Sequence, residues 1–285
     1  MTKFFSILVF AALSSPSTHA SVVPRNSVSI PVLTPWRQSV DEARFHAILD
    51  KLYATHIGFF VINGARLRID RDWIDGTANA FADREGMTFT IEAFGGLARH
   101  PLVTEDAFTL LLCHEMGHHL GGFPVGMPGA WPSSEGQSDY FSTLSCLRRM
   151  FLDEDNAAAL AGKPVDPALL DRCARSFPGK RIEQLICVRS GLAAMSAVQF
   201  FYSFDRRGPV PSFSKPDPTI VHRTQSAHPT PACRLDTMMA GALCPTDLRT
   251  NPDPHNPFIG ACSSHFHPPG ARPPCWFKEP PLRRY

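Results

Sequence analysis

Beyond its first few residues the chain has no apolar run of about eighteen residues, the length a bilayer-crossing helix needs. It also lacks any stretch where basic residues interleave with aromatics. Its 28 Lys and Arg stand against 26 Asp and Glu, a formal net charge of +2, so the electrostatic footprint of a nucleic-acid binder is missing. No segment repeats, which excludes solenoids and propellers. What the sequence does have is cysteine: eight, at 113, 146, 173, 187, 233, 244, 262 and 275. An even count suits disulfides in an exported protein, although eight cysteines permit about 105 pairings.

The opening residues point the same way. Lys3, the apolar stretch Phe4 to Leu13, a Ser/Pro-rich step and Thr18-His19-Ala20 have the layout of a secretory signal peptide cut after Ala20. No Cys lies near that point to carry a lipid anchor. The expectation is an exported, periplasmic or secreted protein without a transmembrane segment: a signal peptide over 1–20, one catalytic domain over 21–244, and a Pro-rich, Cys-containing extension over 245–285 packed on it. Its oligomeric state is not legible.

Chemistry is concentrated in His114-Glu115-Met116-Gly117-His118. Four residues apart on an α-helix differ by about 40° in azimuth, so His114 and His118 project from one face toward a shared point. Glu115 sits about 100° from His114, where a carboxylate can take a proton from a water on a metal without binding the metal itself. The surroundings predict a helix: Thr104 as cap, Glu105 and Asp106 in the first turn, an apolar body from Ala107 to Leu112, and Gly121-Gly122 at the end. Cys113 and His119 both leave the face shared by the two histidines, so neither is a ligand. His265 and His267 are read as loop histidines.

Ser39-Val40-Asp41-Glu42 reads as a capping box before an amphipathic helix over about 40–55, carried by Phe45, Ile48, Leu49 and Leu52. Leu67 to Trp73 and Met87 to Phe94 alternate as strands, bounded by turns at Asp75-Gly76 and Glu85-Gly86. Ser134 and Gln137 form a second capping box, opening a helix that runs to about Phe151. Further helices fall near 167–176, 181–204 and 232–243, with loops over 206–231 and 245–285.

A catalytic zinc needs a third protein ligand and an open position for water. Glu135 and Asp139, one turn apart on the helix after the motif, supply one candidate ligand and one acceptor for a histidine ring N–H. Glu135 is assigned to the metal beside His118, and Asp139 to the free nitrogen of His114. The same spacing allows the converse, with Asp139 on the metal.

These blocks resemble, in order, the zinc peptidases of the family containing HtpX and the CAAX prenyl endopeptidase. They are Asn79-Ala80-Phe81-Ala82, the strand ending Gly95-Gly96-Leu97, the His-Glu-x-x-His helix, Glu135 with Asp139, and His228-Pro229 followed by Arg234-Leu235. The resemblance spans roughly residues 75–240. It implies a gluzincin-like minimal metallopeptidase core, an α+β fold that is mostly helical, with a small antiparallel or mixed sheet whose edge strand precedes the zinc helix. It further implies one Zn²⁺ on His114, His118 and Glu135, and a polypeptide substrate lying along residues 88–97 by strand addition. His228 is implied as a stabiliser of the tetrahedral intermediate or a gate, and Arg234 as an organiser of the glutamate helix. The absence of spans and the cysteine content set this chain apart as a soluble exported branch.

The expected activity is peptide-bond hydrolysis by a zinc-activated water, Glu115 acting as general base. The alternative from another class is a chaperone-like or quality-control factor that holds exported polypeptides in the same groove. A purely structural metal fits poorly, since closed structural sites use four Cys or His ligands.

Overall fold

The computed structural model describes residues 20–34, 38–126 and 131–282. All of the expected signal peptide except Ala20 lies outside them. A four-stranded mixed sheet in the order β1-β3-β4-β2 packs beside a group of helices. Its strands are β1 (Ala20–Ser21), β2 (Arg66–Asp72), β3 (Ala80–Glu85) and β4 (Thr88–Phe94). β3 and β4 form a hairpin whose tight turn contains Gly86 at φ +58°, a backbone state that favours glycine. β2 runs parallel to β4, and β1 pairs antiparallel with β3.

β3 and β4 precede the helix that carries the histidine motif, as the fold class requires. The position assigned to substrate needs correction, however. β4 lies between β2 and β3, so its backbone N–H and C=O groups are already engaged on both sides. Thr90 and Ile91, adjacent residues that point to opposite faces, are both buried. On this side of the sheet the outer strand is the short β1, paired with β3 at Ala82 and Phe81.

Helix α1 (Glu42–Val61) is capped by Asp41, whose carboxylate accepts from the Arg44 N–H, and not by Ser39. It runs past the expected end because His56 and Phe60 continue its buried face. After the single turn α2 (Gly95–Ala98), helix α3 (Glu105–Leu120) is capped by Thr104, which accepts from the Ala107 N–H. Every residue of α3 from Asp106 to His118 is buried, so this is the central helix of the core and has no polar stripe. Gly122, at φ +71°, lets the chain leave α3 against the Pro252 backbone, where a side chain would collide.

The next helix is continuous but not uniform. α4 (Glu135–Phe141) passes through a π-helical segment (Ser142–Cys146) into α5 (Leu147–Phe151). Ser134 caps it by accepting from the Gln137 N–H. The Gln137 side chain does not complete the expected box; it donates to the Gly121 carbonyl and accepts from Arg272, tying the end of α3 to the C-terminal segment. A short helix α6 (Asn156–Leu160) follows, then α7 (Pro167–Ser176), α8 (Arg181–Phe204) and α9 (Pro231–Leu243). By length and composition α8 could cross a membrane, but 72% of its most apolar window is buried inside the fold.

All eight cysteines are paired: Cys113–Cys146, Cys173–Cys187, Cys233–Cys275 and Cys244–Cys262. The first ties α3, one residue before His114, to the π segment of the following helix. The last two pin the Pro-rich C-terminal residues to α9. There Trp276 covers Gly136, whose missing Cβ would lie 2.3 Å from the indole, and the Tyr140 hydroxyl donates to the Gly270 carbonyl.

Candidate metal centre

The site is built where α3 and α4 approach most closely. An ideal Cβ on Gly117 would fall 2.8 Å from Ser138 Cα and 2.9 Å from its carbonyl oxygen, so only glycine lets the helices meet here. That closeness faces the α3 histidines toward Glu135 and Asp139 of α4. His114, Glu115 and His118 form a buried His-Glu-His triad whose ligand-capable atoms lie within 4.8 Å of one another.

The histidine tautomers are set from behind. His114 Nδ1 lies 2.8 Å from Asp139 Oδ1, and His118 Nδ1 lies 2.9 Å from the Ser133 carbonyl oxygen. A carboxylate and a carbonyl accept only, so both Nδ1 atoms donate and both Nε2 lone pairs face forward. Those Nε2 atoms are 3.2 Å apart. Glu135 Oε2 lies 3.2 Å from that of His114 and 3.6 Å from that of His118. Glu135, expected as a third donor set beside His118, thus reaches both rings. Three donors on a tetrahedral zinc with bonds of about 2.0–2.2 Å stand about 3.3–3.5 Å apart, so this convergent set fits that ion.

Glu115 supplies a second observation. Its carboxylate is fully buried, and neither oxygen has a hydrogen-bond partner among the described residues. A buried, unpartnered carboxylate is costly, and a water beside a metal would satisfy it. Burial raises its pKa well above the usual range, with His114 opposing the shift.

Charges around the centre favour a cation within it. Burial acts against the charged form of His114, yet Asp139 and Glu135 outweigh it and hold its pKa up at about 9. Burial pushes His118 down to about 4 against the pull of Glu135. Glu135 and Asp139 both stay ionised: burial is overcome for Glu135 by His118, His114 and His228, and for Asp139 by Arg234 and His114, leaving each near 2. The Glu135 carboxylate faces both Nε2 atoms, and a metal ion competes with the proton for that position.

Arg234 and His228 complete the surroundings. Arg234, buried on α9, grips Asp139 with two nitrogens, Nε to Oδ2 at 2.7 Å and Nη2 to Oδ1 at 2.8 Å, and its guanidinium lies over the Phe201 ring. His228 Nε2 stands 3.1 Å from Glu135 Oε2. The His228 and Glu135 side chains are 19% and 13% exposed, whereas His114, His118 and Glu115 are at most 1% exposed, so the centre opens to solvent on the His228 side. His119 turns away; its Nε2 donates to the Thr90 carbonyl and its ring stacks on Trp131, joining α3 to β4. His265 packs near Phe266, and His267 Nε2 meets the Leu243 carbonyl; neither belongs to the buried triad.

Gly117, Ser133 and Ser138 are the residues that sequence reasoning passed over. Ser138 Oγ also lies 3.0 Å from His118 Nδ1. For Gly117 the available signal was a glycine within an apolar helix, which marks close approach of another element. Replacing Gly117 with Val must drive α4 off α3 and spread the donors. We expect zinc affinity to fall by at least about tenfold, the scale seen when groups supporting a metal ligand are lost. Competition with a chromophoric chelator measures it, with circular dichroism to establish that the helices persist.

Comparison with protein-family models, curated proteins and solved structures finds no match. What this chain has in common with zinc metallopeptidases is the site itself: a buried His-Glu-His triad on one helix of a mostly helical α+β fold, consistent with a gluzincin-like centre.

Proposed function

We propose that this chain is an exported zinc-dependent endopeptidase, similar to the gluzincins of the HtpX and CAAX prenyl endopeptidase type. The observation that carries the reading is the unpartnered, buried Glu115 carboxylate beside three convergent donor atoms. A protein that only held polypeptides would have no use for such a group, which weighs against the chaperone-like alternative. His114, His118 and Glu135 are the proposed ligands, with Asp139 orienting His114. Zinc held there supplies a Lewis acid that brings the pKa of water toward neutrality and polarises a peptide carbonyl. Glu115 takes the proton of the attacking water and delivers it to the leaving amine. His228 Nε2, at the open side, donates to the developing oxyanion, and Arg234 fixes Asp139 and through it His114. Four disulfides suit an oxidising, exported location.

The test is digestion of an unfolded polypeptide by the oxidised chain, counted as new amino termini. The reading expects termini that vanish with a chelator and return with zinc. A folded, zinc-loaded chain that produces none, even with the segment after β1 loosened by Val22→Gly, contradicts it.

A further inference from the structure

An extended segment of the chain itself lies between β3 and the His228 side of the metal centre. Ala20 and Ser21 pair with Ala82 and Phe81 as an antiparallel addition to the outer edge of β3, and the Val22 N–H continues the pairing to the Ala80 carbonyl. Three successive residues are then read through their backbones. The Ser21 carbonyl accepts from His228 Nε2 at 2.9 Å. The Val22 carbonyl accepts from Arg234 Nη1 at 2.8 Å. Val23 donates its N–H to Asn79 Oδ1 and accepts from Asn79 Nδ2 with its carbonyl.

These contacts bridge β3 on one side and His228 and α9 on the other. The nitrogen that holds the Ser21 carbonyl lies 3.1 Å from Glu135 Oε2. Val22 is fully buried, so the segment is seated in the groove rather than resting on it. Residues 23–26 also wall a cavity of about 360 Å³ beyond His228, bounded by Phe201, Phe204 and Pro231.

The geometry points to a built-in occupant: residues 21–23, which a cut after Ala20 leaves in place, fill the extended-peptide site of the centre, and any polypeptide that reaches the metal must first displace them. The site recognises main chain, through His228, Arg234 and Asn79, so its external partner is an extended segment running antiparallel to β3 in place of residues 21–23. Binding of that partner competes with the chain's own strand, and its apparent affinity is reduced by the fraction of molecules in which the strand is seated.

The inference rests on the peptidase reading for the position of the site but is tested by binding alone. The protein used is the oxidised, zinc-loaded chain carrying Glu115→Gln, which blocks turnover, and the probe is a fluorescent unfolded casein peptide. Val22→Gly removes the buried side chain that seats the strand and is expected to tighten peptide binding by at least about tenfold at unchanged zinc content. A synthetic peptide of residues 21–25 added in trans is expected to compete with the probe in this variant. On the unaltered strand, saturating probe is expected to speed hydrogen exchange at Val22 and Val23. Equal affinity in a folded Val22→Gly chain, or bound probe with Val22 and Val23 still protected, overturns the inference; should Val22→Gly fail to fold, the exchange measurement decides. Tight binding by Val22→Gly with no cleavage when Glu115 is restored would instead count against the peptidase reading and leave the occupied groove intact.

Discussion

Glu115→Gln is expected to slow hydrolysis of an unfolded polypeptide by about 10²-fold or more while zinc stays bound at the wild-type stoichiometry. The substitution keeps the shape of the side chain and removes only its basicity. In the native protein the carboxylate is buried and unpartnered, and its pKa is raised by burial, so it is poised to accept a proton from water. Glutamine cannot accept it. Because Glu115 is a bystander to the three converging donors, its amide should leave His114, His118 and Glu135 where they are. Parallel loss of zinc and activity would recast Glu115 as a ligand, a role its membership of the buried triad also permits. Retained activity would remove it from the chemistry.

The largest expected loss of stability comes from Arg234→Met. Arg234 and Asp139 are both buried, joined by two hydrogen bonds, and the same guanidinium holds Val22 and covers Phe201. Methionine approximates the volume but leaves the Asp139 carboxylate without its main counter-charge. Breaking one side of a buried ion pair costs about 3–5 kcal/mol, far more than the pair itself is worth relative to apolar residues. Urea unfolding of the oxidised chain should show a shift of that size, with an unchanged slope. Arg234→Lys should recover only part of it, since one ammonium cannot match the two-point grip. Adding Asp139→Asn to Arg234→Met should restore stability relative to Arg234→Met alone, because the unpaired charge is gone. An Arg234→Met chain as stable as wild type would mean that Asp139 is satisfied by His114 without help.

The same residues mark where a sequence can and cannot be read. Local signals placed α3: the Thr104 cap, the acidic first turn and the glycines at its end are all within a turn of the features they control. The alternation in β2 and β4 was equally local. β3 escaped that reading because Ala80-Phe81-Ala82 gives no apolar–polar alternation, and the edge position expected of β4 came from the family resemblance and not from its own residues. Two capping boxes were written into the sequence, yet Asp41 displaced Ser39 in one and tertiary contacts to Gly121 and Arg272 took the Gln137 side chain in the other. The cysteine count indicated disulfides but could not give the pairing, since partners such as Cys233 and Cys275 are 42 residues apart. In the site, the spacing of His114 and His118, and of Glu135 and Asp139, was helical geometry and visible. The grip of Arg234 on Asp139 spans 95 residues, and the closeness of Gly117 to Ser138 depends on how two helices cross. The π segment after α4 is a shift in backbone hydrogen bonding that no residue pattern announced.

The most direct test of the account is a zinc titration of the metal-stripped, oxidised chain, following bound metal and newly formed amino termini together. The account predicts that hydrolysis rises in proportion to bound zinc and stops at one ion per chain, and that Glu135→Ala and His118→Ala abolish both signals. Zinc bound at one per chain with no hydrolysis of any unfolded polypeptide, even when Val22→Gly has loosened the N-terminal strand, would contradict it.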